Sequence, residues 1–122
     1  MKFTLGKYER LKSKKLITQL FEEGRSLKIF PLRLAYLQTE HTSGFPVQVG
    51  FSVSKKQFKK AVDRNRIRRL IKEAYRHEKY TVYDVTNATF MITFIGKKKP
   101  IYADIQKSMS SLLKLFLKEL KQ

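Results

Sequence analysis

Between Arg64 and Arg76 lie six basic residues, Arg64, Arg66, Arg68, Arg69, Lys72 and Arg76, with Glu73 the one acid among thirteen positions. Their chemistry is phosphate binding. Arg outnumbers Lys five to one in this stretch, and a guanidinium offers a planar fork that grips two phosphate oxygens and stacks on bases, whereas an ammonium acts as a point charge. Read as a helix at about 100° per residue, Ile67, Leu70, Ile71, Ala74 and Tyr75 share one apolar stripe, and Asn65, Arg68, Arg69, Lys72 and Arg76 gather opposite. One side suits a core and the other a polyanion. A helix that needed only solubility would alternate Glu with Lys at i,i+4, because like charges at that spacing repel by a few tenths of a kcal/mol. This segment accepts the repulsion, which argues against a merely solvated face. Ala and Tyr stand where a membrane-surface helix would carry a bulky wedge.

Catalysis by protein groups lacks its constellation. There is no cysteine, which removes disulfides, thiol chemistry and Cys-based zinc sites together. His41 falls in a turn and His77 at the end of the basic helix, neither with an obvious Ser or carboxylate relay of the kind nucleophilic catalysis needs. The ten acids are scattered, with only Glu22 and Glu23 adjacent, so no carboxylate metal site is expected. No glycine-rich phosphate loop occurs. No catalytic and no metal-ligating residue is therefore assigned, and the reacting groups are expected outside this chain.

The elements that must position the basic stretch can be read from composition and periodicity. At 122 residues the chain is expected to form one domain, 1–122, with a single modest core. A hydrophobic fraction of 42% with 12% aromatics predicts a folded chain and not a basic tail. The net charge of +17 is destabilising unless a partner neutralises it, and the usual partner is nucleic acid. No run of 18 apolar residues exists, and seven charged residues interrupt Met1 to Lys15, so neither a membrane span nor a signal peptide is expected. With the lack of cysteine this predicts a cytoplasmic protein.

Met1 to Lys15 reads as irregular and basic. Ser13 is a candidate N-cap for a helix of about ten residues carrying Leu16, Ile17, Leu20 and Phe21, with Gly24 as a left-handed stop. Phe21 at its end suits a core better than a ligand platform on position alone. Ser26 to Gln38 reads as extended, bent at Pro31, and Thr39 to Pro46 as a turn. Val47, Val49, Phe51 and Val53 alternate with Gln48, Gly50 and Ser52 in a strong strand whose small side would let a ligand approach the backbone. From Ser54 to Lys79 eleven Lys or Arg meet three acids, a focused surplus of eight. Asp63 is a candidate cap for the basic helix. Glu78 to Asn87 reads as a polar connection, Ala88 to Ile95 as an interior strand covered on both faces, and Tyr102 to Leu120 as a helix laid on the core. The prediction is an α+β domain of order α-β-β-β-α-β-α, with three helices and a mixed sheet of about four strands. The strands flanking the basic helix are expected to be parallel neighbours.

The run Val49-Gly50-Phe51-Ser52-Val53-Ser54-Lys55-Lys56, followed by Ala61-Val62-Asp63-Arg64-Asn65-Arg66-Ile67-Arg68-Arg69-Leu70, resembles the signature of the bacterial ribonuclease P protein component. The hallmark of that family is Arg-Asn-Arg followed by a basic pair and Leu. The Arg10-Leu11 start, the Phe21 to Gly24 helix end and the leucine-rich last helix match in order and spacing, so the likeness covers nearly the whole chain. The chain departs from the family pattern at Ile17, where many members carry Phe, and at Gln57-Phe58-Lys59-Lys60, where many have Gly shortly after the paired lysines. The resemblance implies binding to a large catalytic RNA, the ribonuclease P RNA subunit. Together the two would remove the 5′ leader of precursor tRNA endonucleolytically, with magnesium held by RNA and substrate. It implies RNA contacts at Arg64, Asn65, Arg66, Arg68, Arg69, Lys72 and Arg76, flanked by Ser54, Lys55 and Lys56. It implies a cleft for the single-stranded leader at Ile17, Phe21 and Ser52, and a left-handed strand-helix-strand crossover. Single strands are generally held in basic grooves with stacking platforms.

A ribosomal-type RNA-binding protein with no role in cleavage shares the size, charge and lack of catalytic groups, and composition alone favours it. The order of motifs reverses that preference. A DNA-binding regulator is disfavoured, since no short helix precedes the basic one at helix-turn-helix spacing and no zipper follows it. Neither DNA nor a membrane is expected as a partner.

Overall fold

The computed structural model describes residues 9–38, 47–83 and 86–120. In chain order it contains α1 (Lys14–Glu23), β1 (Arg25–Ile29), β2 (Leu32–Gln38), β3 (Val47–Val53), α2 (Ala61–Glu78), α3 (Tyr80–Tyr83), β4 (Ala88–Phe94) and α4 (Tyr102–Leu120). This is the expected α+β arrangement, with the one-turn α3 as a fourth helix in the stretch read as a polar connection. The first eight residues and the turn 39–46, with His41, lie outside the described residues.

The strands form one mixed sheet in the order β1-β2-β4-β3. β1 and β2 are an antiparallel hairpin turning at the cis Phe30-Pro31 bond, and β2 pairs antiparallel with β4. β3 and β4 are parallel neighbours in register from Val47 with Ala88 to Val53 with Phe94. A parallel pair needs a long crossover, which α2 and α3 supply.

Alternation along each strand assigns the two faces. Val47, Val49, Leu34, Phe90, Ile92 and Phe94 are buried on one face, beneath Ile67, Ile71 and Tyr75 of α2 and Ile105, Met109, Leu112 and Phe116 of α4. The Phe116 ring meets Tyr36 and Phe90 edge-on, each at 4.9 Å between centroids. Each such buried side chain contributes roughly 1.5–3 kcal/mol. The other face carries Gln48, Gly50 and Ser52 beside Thr89, Met91 and Thr93, and α1 packs over β2 and β4. β4, with helices over both sides, is apolar for that reason.

Three local expectations are corrected. Ser13 does cap α1, its Oγ accepting from the Leu16 N–H at 3.3 Å. Gly24, however, has φ −73° and ψ 165°, an extended conformation and not a left-handed one. Glycine is needed there for space, since a Cβ would lie 2.3 Å from the Leu20 carbonyl oxygen and 2.9 Å from that of Tyr36. Asp63 is not the N-cap of α2, which starts earlier, at Ala61 after Lys60. The carboxylate instead sits in the first turn, favourable for the helix dipole, and pairs with Lys99 at 3.3 Å. Gly50, finally, does not open the sheet to a ligand. Met91 and Leu11 cover it, with Met91 Cε 2.9 Å from where a Cβ would stand.

Candidate nucleic-acid interface

The 18 residues of α2 divide as their periodicity requires. Ile67, Ile71, Ala74 and Tyr75 are buried against the sheet and α4, and Leu70 is partly buried beside them. Asn65, Arg66 and Arg69 are exposed, and Arg64, Arg68, Lys72 and Arg76 half-exposed. What decides whether this face can bind an anion is how many of its cations are already neutralised. Arg76 is: its Nε and Nη2 donate to Glu73 at 2.8 and 2.5 Å. Hydrogen bonds from Arg76 above all hold the Glu73 carboxyl below the usual carboxylate range, with His77 adding to the effect. Arg64 turns back, its Nη1 donating to the Phe58 and Lys59 carbonyls, each at 2.8 Å. Arg68 donates to the Asn65 amide oxygen, a neutral partner. Arg66, Arg69 and Lys72 have no carboxylate partner among the described residues. Partial burial first, and the nearby Arg10 guanidinium second, hold the Lys72 ammonium below its ordinary pKa.

The loop before α2 carries the predicted flanking residues. Ser54 Oγ accepts from the Lys56 N–H at 3.2 Å and its carbonyl accepts from the Phe58 N–H at 3.1 Å, closing a compact turn that leaves Lys55 and Lys56 exposed. Phe58 is the plug of this loop, buried against Phe94 at 5.8 Å between centroids. The Gln57 to Lys60 insertion is thereby anchored, and Arg64 braces it from the helix.

The three residues expected to line a leader cleft fall on the other layer. Ile17 and Phe21 are one turn apart on α1, Ile17 half-buried and Phe21 69% exposed, while Leu20 between them is buried. Phe21 is thus a free aromatic surface and not core. Ser52 stands on the sheet face that α1 crosses, its hydroxyl 2.8 Å from that of Thr93. Sequence reading passed over a further basic surface. Lys97, Lys98 and Lys107 surround an open hollow of about 880 Å³ at the end of the sheet, with Phe30 exposed beside them. The Gly96-Lys-Lys-Lys-Pro100 run was its one signal, and it reads equally well as a turn.

No group of three or more His, Asp or Glu among the described residues could hold a metal ion, and none of their helices is long and apolar enough to cross a membrane. A family model, ribonuclease P, matches residues 5–118. The chain belongs to the ribonuclease P protein family. A curated relative named ribonuclease P protein component from Porphyromonas gingivalis is 35% identical over 117 residues, covering 91% of this chain and 85% of that protein. One of the same name from Chlorobium phaeobacteroides is 46% identical over 83 residues, covering 66% of this chain and 57% of that protein. The fold is that of solved ribonuclease P proteins. The Staphylococcus aureus protein aligns with TM-score 0.71 at 23% identity, covering 88% of this chain and 94% of that one. The Thermotoga maritima protein aligns with TM-score 0.73 at 20% identity, covering 88% and 96%. Arg-Asn-Arg at 64–66 therefore lies near the start of the basic helix of a ribonuclease P protein fold, between β3 and β4.

Proposed function

We propose that this chain is the protein subunit of a bacterial ribonuclease P, which binds a catalytic RNA through α2 and helps it remove the 5′ leader of precursor tRNA. The observation that carries the reading is the run of cations on α2 that lack a carboxylate partner among the described residues, in a chain of this family. Each guanidinium or ammonium seated on a phosphate releases condensed counterions, so affinity is gained from the solvent and falls with salt. Arg66, Arg68, Arg69 and Lys72 are the contacts, with Asn65 orienting Arg68. Lys55 and Lys56 extend the surface along the preceding loop. Arg64 acts chiefly by bracing that loop, and Arg76, held by Glu73, contributes less.

The single-stranded leader would lie between α1 and the sheet face holding Ser52, with Phe21 as a stacking platform and Ile17 beside it. Bond breaking belongs to the RNA. The magnesium ions of the reaction are assigned to RNA and substrate, because the acids described in this chain do not cluster into a ligand set. The chain's own part is to bind, to orient and to screen phosphate repulsion between the two RNAs.

Reconstitution tests this. The protein and the ribonuclease P RNA are mixed with precursor tRNA at low magnesium, together and separately, and cleavage at the mature 5′ end is followed. Cleavage that appears only when both are present is the expected result. Specific cleavage by the protein alone would overturn the assignment of chemistry to RNA. No effect of the protein would leave a ribosomal-type role, which co-purification with ribosomal particles would mark.

A further inference from the structure

Two adjacent residues of the N-terminal segment have opposite environments. Glu9 is 3% exposed, its Oε2 lying 2.6 Å from Lys79 Nζ and accepting from the Tyr83 hydroxyl at 2.5 Å. Lys79 is equally buried, its ammonium 5.3 and 5.5 Å from the ring centroids of Tyr80 and Tyr83. Burying such a pair is costly unless its geometry is good and further hydrogen bonds satisfy it. Removing one partner is more costly still, so this contact anchors the segment firmly to the C-terminal end of α2.

Arg10 follows and is exposed. It forms a parallel bridge with Val49, and the Leu11 N–H donates to the Val49 carbonyl at 2.9 Å, so the segment runs along the free edge of β3. Val49 points to the face that α2 covers, and bridge partners share a face, so the Arg10 side chain leaves the edge on the α2 side. Lys72 and Lys79 are seven residues apart, on one stripe of the helix and about 10.5 Å along its axis. With Glu9 fixed at Lys79, Arg10 is directed toward Lys72. The depressed pKa of Lys72, to which Arg10 contributes second after burial, agrees with that approach. Among the described residues neither cation pairs with a carboxylate, and Glu73, next to Lys72, is committed to Arg76 and His77. Two like charges are thus brought together by the backbone, a repulsion that an anion between them relieves.

We propose that Arg10 and Lys72 form a phosphate seat that carries the α2 interface onto the N-terminal segment, with Glu9, Lys79 and Tyr83 as the positioning contact that holds Arg10 there. The proposal rests on the reading of α2 as an RNA-binding surface.

The test is equilibrium binding of the full-length chain to the ribonuclease P RNA between 50 and 200 mM salt. Arg10→Ala is expected to flatten the slope of log affinity against log salt by about 0.9, so that the wild-type advantage shrinks about 3.5-fold across that range. Arg10→Lys should restore the slope. The double variant Arg10→Ala, Lys72→Ala should lose less than the product of the two single losses, because one phosphate is shared. Glu9→Gln adds positive charge, yet is expected to weaken binding and flatten the slope, and to do neither further once Arg10 is Ala. Should Glu9→Gln fail to fold, Tyr83→Phe, which removes the hydroxyl that donates to Glu9, takes its place. Arg69→Ala is the control. An unchanged slope for Arg10→Ala with a flattened one for Arg69→Ala overturns the seat alone, and no change in either overturns the reading of α2. Additive losses from Glu9→Gln and Arg10→Ala overturn the positioning role.

Discussion

Arg69→Ala is expected to weaken RNA binding through salt-dependent affinity and not through folding, whereas Arg76→Ala is expected to do much less to the salt slope. The difference comes from their neighbours. Four basic side chains of α2, Arg66, Arg68, Arg69 and Lys72, carry neither an ion pair nor a brace to backbone carbonyls among the described residues, while Arg64 is braced on the Phe58 and Lys59 carbonyls and Arg76 is held twice by Glu73. At about 0.9 units of slope per neutralised phosphate, four such cations give about 3.6, and affinity falls roughly 150-fold between 50 and 200 mM salt. With three cations on phosphate instead of four, the fall is roughly 40-fold. Arg69 is exposed, and Ala is the best helix former, so the substitution should alter stability by no more than about 0.5 kcal/mol. Fluorescence titration of labelled RNA at four salt concentrations, beside thermal melts of each variant, measures both quantities. A slope unchanged in Arg69→Ala with a native melt, or an equal drop in Arg76→Ala, would refute the reasoning that ion pairing within the chain selects which arginines meet phosphate.

Phe21→Ala is expected to leave folding intact, because the ring is exposed, and to cost roughly 1–3 kcal/mol of the leader-dependent part of precursor tRNA binding. Equal losses for substrates with and without a leader would remove Phe21 from that site. Phe58→Ala should destabilise the domain by about 3 kcal/mol in urea unfolding, since it empties the space against Phe94 and frees the 54–60 loop. A loss below about 1 kcal/mol would mean that the loop is held by Arg64 alone. Gly24→Ala should lower the melting temperature by the equivalent of about 1 kcal/mol or more, because the new Cβ meets two backbone oxygens that cannot rotate away. An unchanged melt would show that the end of α1 shifts freely.

Where residue type repeats with the period of an element, the sequence reading and the structure agree closely. Ile105, Met109, Leu112, Leu113 and Phe116 mark α4 from Tyr102 to Leu120 as expected, and Val47 to Val53 alternates into β3. The basic face of α2 was legible for the same reason, since one helix supplies all its members. Helix boundaries were less so. Asp63 has the right chemistry for a cap, yet α2 begins earlier, where Lys60 fills the capping position without a side-chain hydrogen bond. Gly24 was read as a conformational requirement and proved to be a steric one, set by the Leu20 and Tyr36 carbonyls. Phe21, whose position alone suits a core and which the family resemblance places in the leader cleft, lies outside the core because Leu20 takes the inward direction.

By itself the sequence determined that a strongly cationic, cysteine-free chain would fold as α+β and present guanidinium groups on one side of one helix. Charge, composition and local period are properties of neighbouring residues and need no partner from elsewhere in the chain. Tertiary structure alone decided which of those charges remain available and what stands beside them. Glu9 reaches Lys79 across 70 positions, Lys99 takes Asp63, and Arg10 is bridged to Val49 of β3. Such pairings depend on where the sheet and the crossover place distant segments, and no local pattern encodes them.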